Sequence, residues 1–183
     1  MSKIDDLVAA YERFVGLPWE GNLAGPQKCW FAVYDPRDER RLRARLGAFE
    51  LATSRAGHGW LSCDITDAFA HWLAAERYRD SFFEIPEDLN LVLGDFRAAL
   101  AAQVRAVLED ERADESGVVA VLGVASLFGL SKVATLMQDV APAIRGRLLV
   151  FFPGEYEGSN YRLMDGHDGW NYMAVPIMAE RRG

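Results

Sequence analysis

The sequence predicts an α/β fold, a three-layer Rossmann-like or P-loop-like sandwich around a mostly parallel sheet of four or five strands. Short apolar runs at Cys29–Tyr34, Trp60–Cys63, Val118–Val124 and Leu148–Phe152 alternate with longer segments of helical periodicity. Several of these runs are apolar on both faces, as strands covered by helices on each side must be. Three of them stop at Asp35-Pro36, Asp64 and Pro153-Gly154, residues that end strands and start turns.

Taken in order, Ile4, Leu7, Val8, Tyr11, Phe14 and Val15 predict an opening amphipathic helix. Leu17–Gln27, with Pro18, Gly21, Gly25 and Pro26, reads as a loop. After the first strand, Asp35 can accept from free amides as an N-cap, and Pro36 fits the first turn of a helix. That helix runs to about Ala56 and is broken by Gly57 and Gly59. Asp64 or Thr66 then caps a helix holding Phe69, Trp72 and Leu73. Ile85-Pro86-Glu87-Asp88 restarts a helix, which Phe96, Leu100, Val104 and Leu108 carry to the acidic run Glu109-Asp110-Glu111. Ser131–Val140 is a further helix ended by Ala141-Pro142, and Tyr172–Ile177 a fifth strand whose Pro176 suits a sheet edge.

Right-handed crossovers give an expected order 2-1-3-4, with the fifth strand at an edge. That order puts the ligand crevice between strands one and three. Its rim would hold Asp35–Arg37, Gly123–Phe128 and Pro153–Tyr156. The chain reads as one domain over 1–183, with an N-terminal helix and loop (1–28) ahead of an α/β core (29–183).

Half of the 183 residues are apolar, enough to bury one sizeable core. The net charge of -7 disfavours direct nucleic-acid binding, which needs a basic footprint. Cys29 and Cys63 form neither a disulfide framework nor a CxxC pair, so they read as reduced core thiols of a cytoplasmic protein. No basic, apolar leader opens the chain, and no apolar run approaches the roughly 20 residues that span a bilayer. A homodimer stays open.

The chain has no Walker A motif and no G-x-G-x-x-G. Its one loose echo, Gly123 to Lys132, carries bulky Leu127 and Phe128 where a phosphate cradle needs inward backbone amides. It reads as a plain strand-to-helix turn, and no cofactor is expected. Asp35, Asp64 and Glu155 could converge at the carboxyl edge of the sheet as a metal-binding cluster. Helix capping explains the two aspartates at least as well. His167 with Asp165 or Asp168 offers a ligand pair, against the simpler reading of an Asp/Gly turn. No nucleophile–base arrangement is ordered by the sequence, so no catalytic residue is assigned. Arg37, Arg41 and Arg45 share i, i+4 spacing and could meet an acidic partner or a phosphate backbone. Tyr156, Tyr161, Trp170 and Tyr172 gather in the last quarter, where loop aromatics serve either as interface anchors or as the end of a core.

Gly123, Ser126–Phe128, Ser131, Phe151–Tyr156, Leu163, Asn171 and Tyr172 together resemble the BrxB family of the bacterial BREX anti-phage systems. Phe31–Pro36 is similar to that family's first strand and turn. The Phe152-Pro153-Gly154-Glu155-Tyr156 segment is the most specific part, whereas Gly166–Trp170 departs from the family's approach to its last strand. The resemblance implies a small α/β component that works by protein–protein interaction, with a PglZ-like partner of the alkaline-phosphatase superfamily and other BREX components. On this reading Glu155, Tyr156, Tyr161, Trp170, Arg37, Arg41 and Arg45 form the interaction surface, with Pro153-Gly154 turning the chain sharply at the rim. The alternative is a metal-dependent phosphoesterase or nucleotide-binding protein using Asp35, Asp64 and Glu155.

Overall fold

The computed structural model describes residues 1–166 and 170–180. It is an α/β sandwich with a mostly parallel sheet between two helical layers. The strands are β1 (Cys29–Tyr34), β2 (Gly59–Asp64), β3 (Gly117–Leu122), β4 (Arg147–Glu157), β5 (Asn160–Leu163) and β6 (Val175–Ile177). The helices are α1 (Lys3–Val15), α2 (Glu39–Ala44), α3 (Leu46–Arg55), α4 (Ala68–Ala75), α5 (Arg79–Glu84), α6 (Leu89–Leu108) and α7 (Val133–Val140).

Alternation along each strand divides the core. Trp30, Ala32, Leu149 and Phe151 face α1 to α3 and meet Ile4, Leu7, Tyr11, Leu42 and Phe49. Phe31, Val119, Val121, Val150 and Phe152 face the other layer and meet Phe96, Leu100 and Val104 of α6 with Val133 and Met137 of α7. Burying each such large side chain contributes about 1.5–3 kcal/mol before entropy is counted. α1 is part of this packing: its Tyr11 ring lies 5.3 Å from Phe49, and its hydroxyl shares a 2.7 Å hydrogen bond with Thr53. Among the described residues no helix is long and apolar enough to cross a membrane.

The strand order is β2-β3-β4-β1-β6, with β5 added antiparallel to β4. This corrects the expected 2-1-3-4: β4, not β3, lies beside β1. Burial explains the difference. β3 is buried at every position and β4 over Arg147–Gly154, so both need neighbours and covering helices. β2 is largely exposed and takes an edge. β6 takes the other edge, where Pro176 lies opposite Phe31.

Local differences have local causes. The helix expected over 36–56 is a 3-10 turn (Pro36–Asp38) followed by α2 and α3, parted at Arg45, whose N–H closes a tight bond to Leu42. Asp64 caps no helix: it accepts from Thr66 N within its own turn, and α4 starts at Ala68 without a side-chain cap. Pro153-Gly154 does not turn the chain. β4 runs through both residues to Glu157, and the reversal comes at Gly158-Ser159, both with positive φ.

Candidate docking rim at the carboxyl end of the sheet

Chain direction reverses between β1 and β4: from β1 the chain crosses to β2, and from β4 it moves toward β6. An open α/β sheet leaves a crevice at such a switch point. A cavity of about 740 Å³ lies there, walled by Tyr34–Asp38 after β1 and by Gly154–Glu157 of β4. The expected crevice between strands one and three is thereby relocated by one strand. Asp35–Arg37 and Gly154–Tyr156 still flank it, whereas Gly123, Ala125, Ser126 and Pro153 line a smaller, adjoining cavity.

The motif over residues 152–156 has a position-by-position logic. Phe152 is fully buried, stacked 5.3 Å from Phe31. The β3–β4 ladder ends at Val121↔Val150, so the missing N–H of Pro153 breaks no bond to β3. Gly154 faces Leu163, and a Cβ there would run into the Arg162 carbonyl, so the hairpin closes only on glycine. Glu155 is exposed, and the Tyr156 ring rests 4.6 Å from Tyr161.

Tyr161 belongs to the core and offers no surface. It is fully buried, donates its hydroxyl to Ala174 O at 2.7 Å, and burial drives its pKa upward. Trp170 is half-buried, bridged to Tyr161 through backbone bonds in both directions and packed edge-on to Phe31 and Phe152. Its remaining face joins Phe128 and Leu130 in a cavity of about 490 Å³. Tyr172 is buried beside the Cys29 thiol, and its hydroxyl lacks a hydrogen bond of good geometry. Burial pushes the Cys29 thiol up to about 12 and raises Cys63 as well, so neither is a ready nucleophile.

The arginines of the rim meet carboxylates. The Arg37 guanidinium meets Asp35 at 2.5 Å, and the Arg37 backbone N–H also donates to Asp35 at 3.0 Å. Arg37 thus holds the Asp35 carboxyl well below the usual carboxylate range. Arg41 pairs with Asp38 at 3.1 Å, and Arg45 with Asp5 at 2.8 Å. The three arginines sit on a 3-10 turn, on α2 and at the α2–α3 break, so they do not form one helical stripe. Arg43, part of the same Arg-rich run but outside the i, i+4 trio, ties the rim together: it binds Glu39 at 2.7 Å, Asp64 at 2.8 Å and Thr66 Oγ1 at 2.8 Å. Its spacing of four from Glu39 was the available signal. Burial alone would raise the Asp64 pKa, but Arg43 and Thr66 outweigh it and set it below the ordinary value. Tyr34, buried under the same network, donates to Glu39, and burial with that carboxylate raises its pKa.

Asp35 and Glu155 therefore line one cavity while Asp64 is turned to Arg43. Among the described residues no three His, Cys, Asp or Glu side chains stand close enough to hold a metal ion. His167 and Asp168 lie outside the described residues. The Gly123–Lys132 segment forms a left-handed Gly123, a 3-10 turn over Val124–Leu127 and then α7, with Leu127 buried. No family model matches the chain, and no curated protein or solved structure is significantly similar to it.

Proposed function

We propose that this chain is a protein-binding component of a BREX-type anti-phage system, similar in role to BrxB, acting in the cytoplasm by docking rather than by turnover. The observation that carries the reading is where the BrxB-like residues fall. Phe151–Tyr156 and Leu163 form one hairpin, Tyr172 packs beneath it, and its exposed end stands beside the cavity at the switch point. A motif serving only the core would end at Gly154, the last buried residue of β4. This one continues into the exposed Glu155 and the half-buried Tyr156. Glu155, Tyr156, one face of Trp170 and the Arg37–Arg41 edge form the docking rim, and a PglZ-like protein of the alkaline-phosphatase superfamily is the proposed partner. Two of the three carboxylates that a phosphoesterase would need, Asp35 and Asp64, are engaged with Arg37 and Arg43, which favours docking over catalysis.

Affinity capture from cells that co-express the neighbouring defence genes tests this. Wild type should retain the PglZ-like protein, and Glu155→Lys combined with Arg41→Glu should release it without loss of fold. Recovery of the wild-type chain alone, with divalent metal or nucleotide raising its melting temperature, would overturn the docking reading in favour of the enzyme.

A further inference from the structure

β2 lies at the sheet edge two strands from the cavity between β4 and β1, and only its last residue, Asp64, reaches the rim, through Arg43. Among the described residues β2 pairs with β3 alone. Gly59 N–H and Ile65 N–H donate to Ser116 O and Leu122 O at 3.3 and 2.9 Å. Backbone direction alternates along a strand, so Leu61 and Cys63 also face β3, and Trp60, Ser62 and Asp64 send their N–H and C=O groups outward. The edge carries no proline, no lysine and, among the described residues, no covering strand; its one charge is Asp64 at the end of β2, engaged by Arg43.

The helix that follows is equally incomplete. α4 reads AFAHWLAA, apolar at every position except His71, yet none of its residues is fully buried. A helix apolar all round is built to be covered. Phe69 and Trp72 reach Phe96 of α6 at 5.1 and 5.6 Å, and Leu61 of β2 is partly buried in the same cluster. α5, packed on α4, leaves Phe83 71 % exposed.

We infer that this side is closed by a second copy of the chain, through antiparallel β2–β2 pairing about a two-fold axis at Ser62. The outward set is self-complementary. With Ser62 facing Ser62 of the second copy, Trp60 faces Asp64, and every outward group exchanges hydrogen bonds with its opposite number. The same register holds the two Asp64 carboxylates at opposite ends of the ladder. It also brings the Arg43 guanidinium, held on Asp64 at 2.8 Å, toward the half-buried Trp60 indole of the other copy. Charge argues for self-pairing too. In a chain of net charge -7, residues 57–75 carry only Asp64 and Asp67 besides two histidines. A strongly charged partner has little to read there, and two copies have little to repel.

The test uses the full chain in light scattering and on non-reducing gels. Wild type should have the mass of a dimer. Ser62→Cys should cross-link under mild oxidation, because facing Cα atoms of such a pair lie about 5.5 Å apart, inside the range a disulfide spans. Ala102→Cys on the exposed face of α6 should not, and the native thiols are buried. Ser62→Lys should give a folded monomer by setting like charges across the axis. Ser62→Pro should do the same, since that N–H serves no bond to β3. A monomeric wild type overturns the proposal, as does a dimer that Ser62→Cys fails to link and Ser62→Lys fails to weaken. Ser62 is not among the residues proposed to hold the PglZ-like partner and lies two strands from the cavity between β4 and β1, so capture of that partner should survive Ser62→Lys and the two readings fail independently.

Discussion

The two ends of the sheet use arginine in opposite ways. At the amino end, Arg147 is 5 % exposed, lies 4.9 Å over Trp19 and 5.9 Å from Trp30, and donates to Glu20 O and Gly146 O at 2.8 and 3.0 Å. Trp19 stacks in turn on His58 at 3.6 Å, sealing that end with rings. Burial lowers the Arg147 pKa, the Glu20 charge opposes that shift, and carbonyls and ring faces contact the guanidinium directly. At the carboxyl end Arg37, Arg41 and Arg43 all meet carboxylates around an open cavity. A closed end stabilises the fold, while an open end with solvated pairs can be remodelled without endangering it. The contrast separates residues that should govern stability from residues that should govern binding.

The largest effect should come from the closed end. Arg147→Ala removes two hydrogen bonds and a stacked cation, and leaves the buried Gly146 carbonyl without that donor. We expect a loss of about 3 kcal/mol. In a chain of this size that lowers the melting temperature by roughly 6–12 °C. Partner capture below that temperature should be unchanged; if it falls as far as stability does, the division between the two ends is wrong. Next comes Gly154→Ala, which forces the Arg162 carbonyl away from β4. We expect about 1–3 kcal/mol, the usual range for overpacking. Near-ultraviolet circular dichroism should report the disturbed Tyr156–Tyr161 contact, and partner capture should drop with it.

These expectations also mark what could be read in advance. The layers, the parallel sheet and the β1 and β3 strands were legible because fully apolar runs such as Val118–Leu122 have one use, the middle of a covered sheet. The order was legible too, had burial been weighed. Trp60-Leu61-Ser62-Cys63 mixes polar and apolar residues and belongs at an edge, whereas Leu148–Phe152 does not. β5 announces itself through Gly158-Ser159 followed by the alternation Asn160-Tyr161-Arg162-Leu163. What no local pattern carries is how deeply each aromatic sits: Tyr156 and Tyr161 are partners across the hairpin on one face, yet Tyr161 is fully buried and Tyr156 only half-buried. The Arg43–Asp64 pair is likewise invisible to local pattern, because it joins α2 to the end of β2 across the fold.

Titration offers a third way to sharpen the comparison, with a smaller effect. In the folded chain burial holds the Cys29 thiol up to about 12, against roughly 8.5 when unfolded. Above the lower value the unfolded state gives up its proton first, so the thiol's contribution is complete below about pH 8.5 and is lost as pH rises toward the higher one. Denaturant midpoints should therefore decline through that alkaline window. Cys29→Ala should flatten the decline, after an initial cost at neutral pH for the smaller side chain. If the two proteins decline in parallel, the thiol does not couple to folding.

The smallest effect belongs to Asp35, and it asks which of two jobs the residue performs. Its carboxylate accepts from the Arg37 backbone N–H and also pairs with the Arg37 side chain, which is 86 % exposed. Exposed ion pairs contribute little, whereas losing a cap costs about 1 kcal/mol. Asp35→Asn keeps an acceptor for the amide and should change neutral-pH stability by less than about 0.5 kcal/mol. Asp35→Ala loses both and should cost about twice that or more. The sign of the acid dependence follows from the depressed pKa: the charge's contribution is present above about pH 4, the ordinary carboxylate value, and disappears as pH falls further. Urea denaturation at pH 7 and at pH 3 should therefore bring wild type and Asp35→Asn together on acidification, while Asp35→Ala stays below both. Equal losses for Asn and Ala at pH 7 would instead give the ion pair the leading role, and the open end of the sheet would then contribute to stability much as the closed end does.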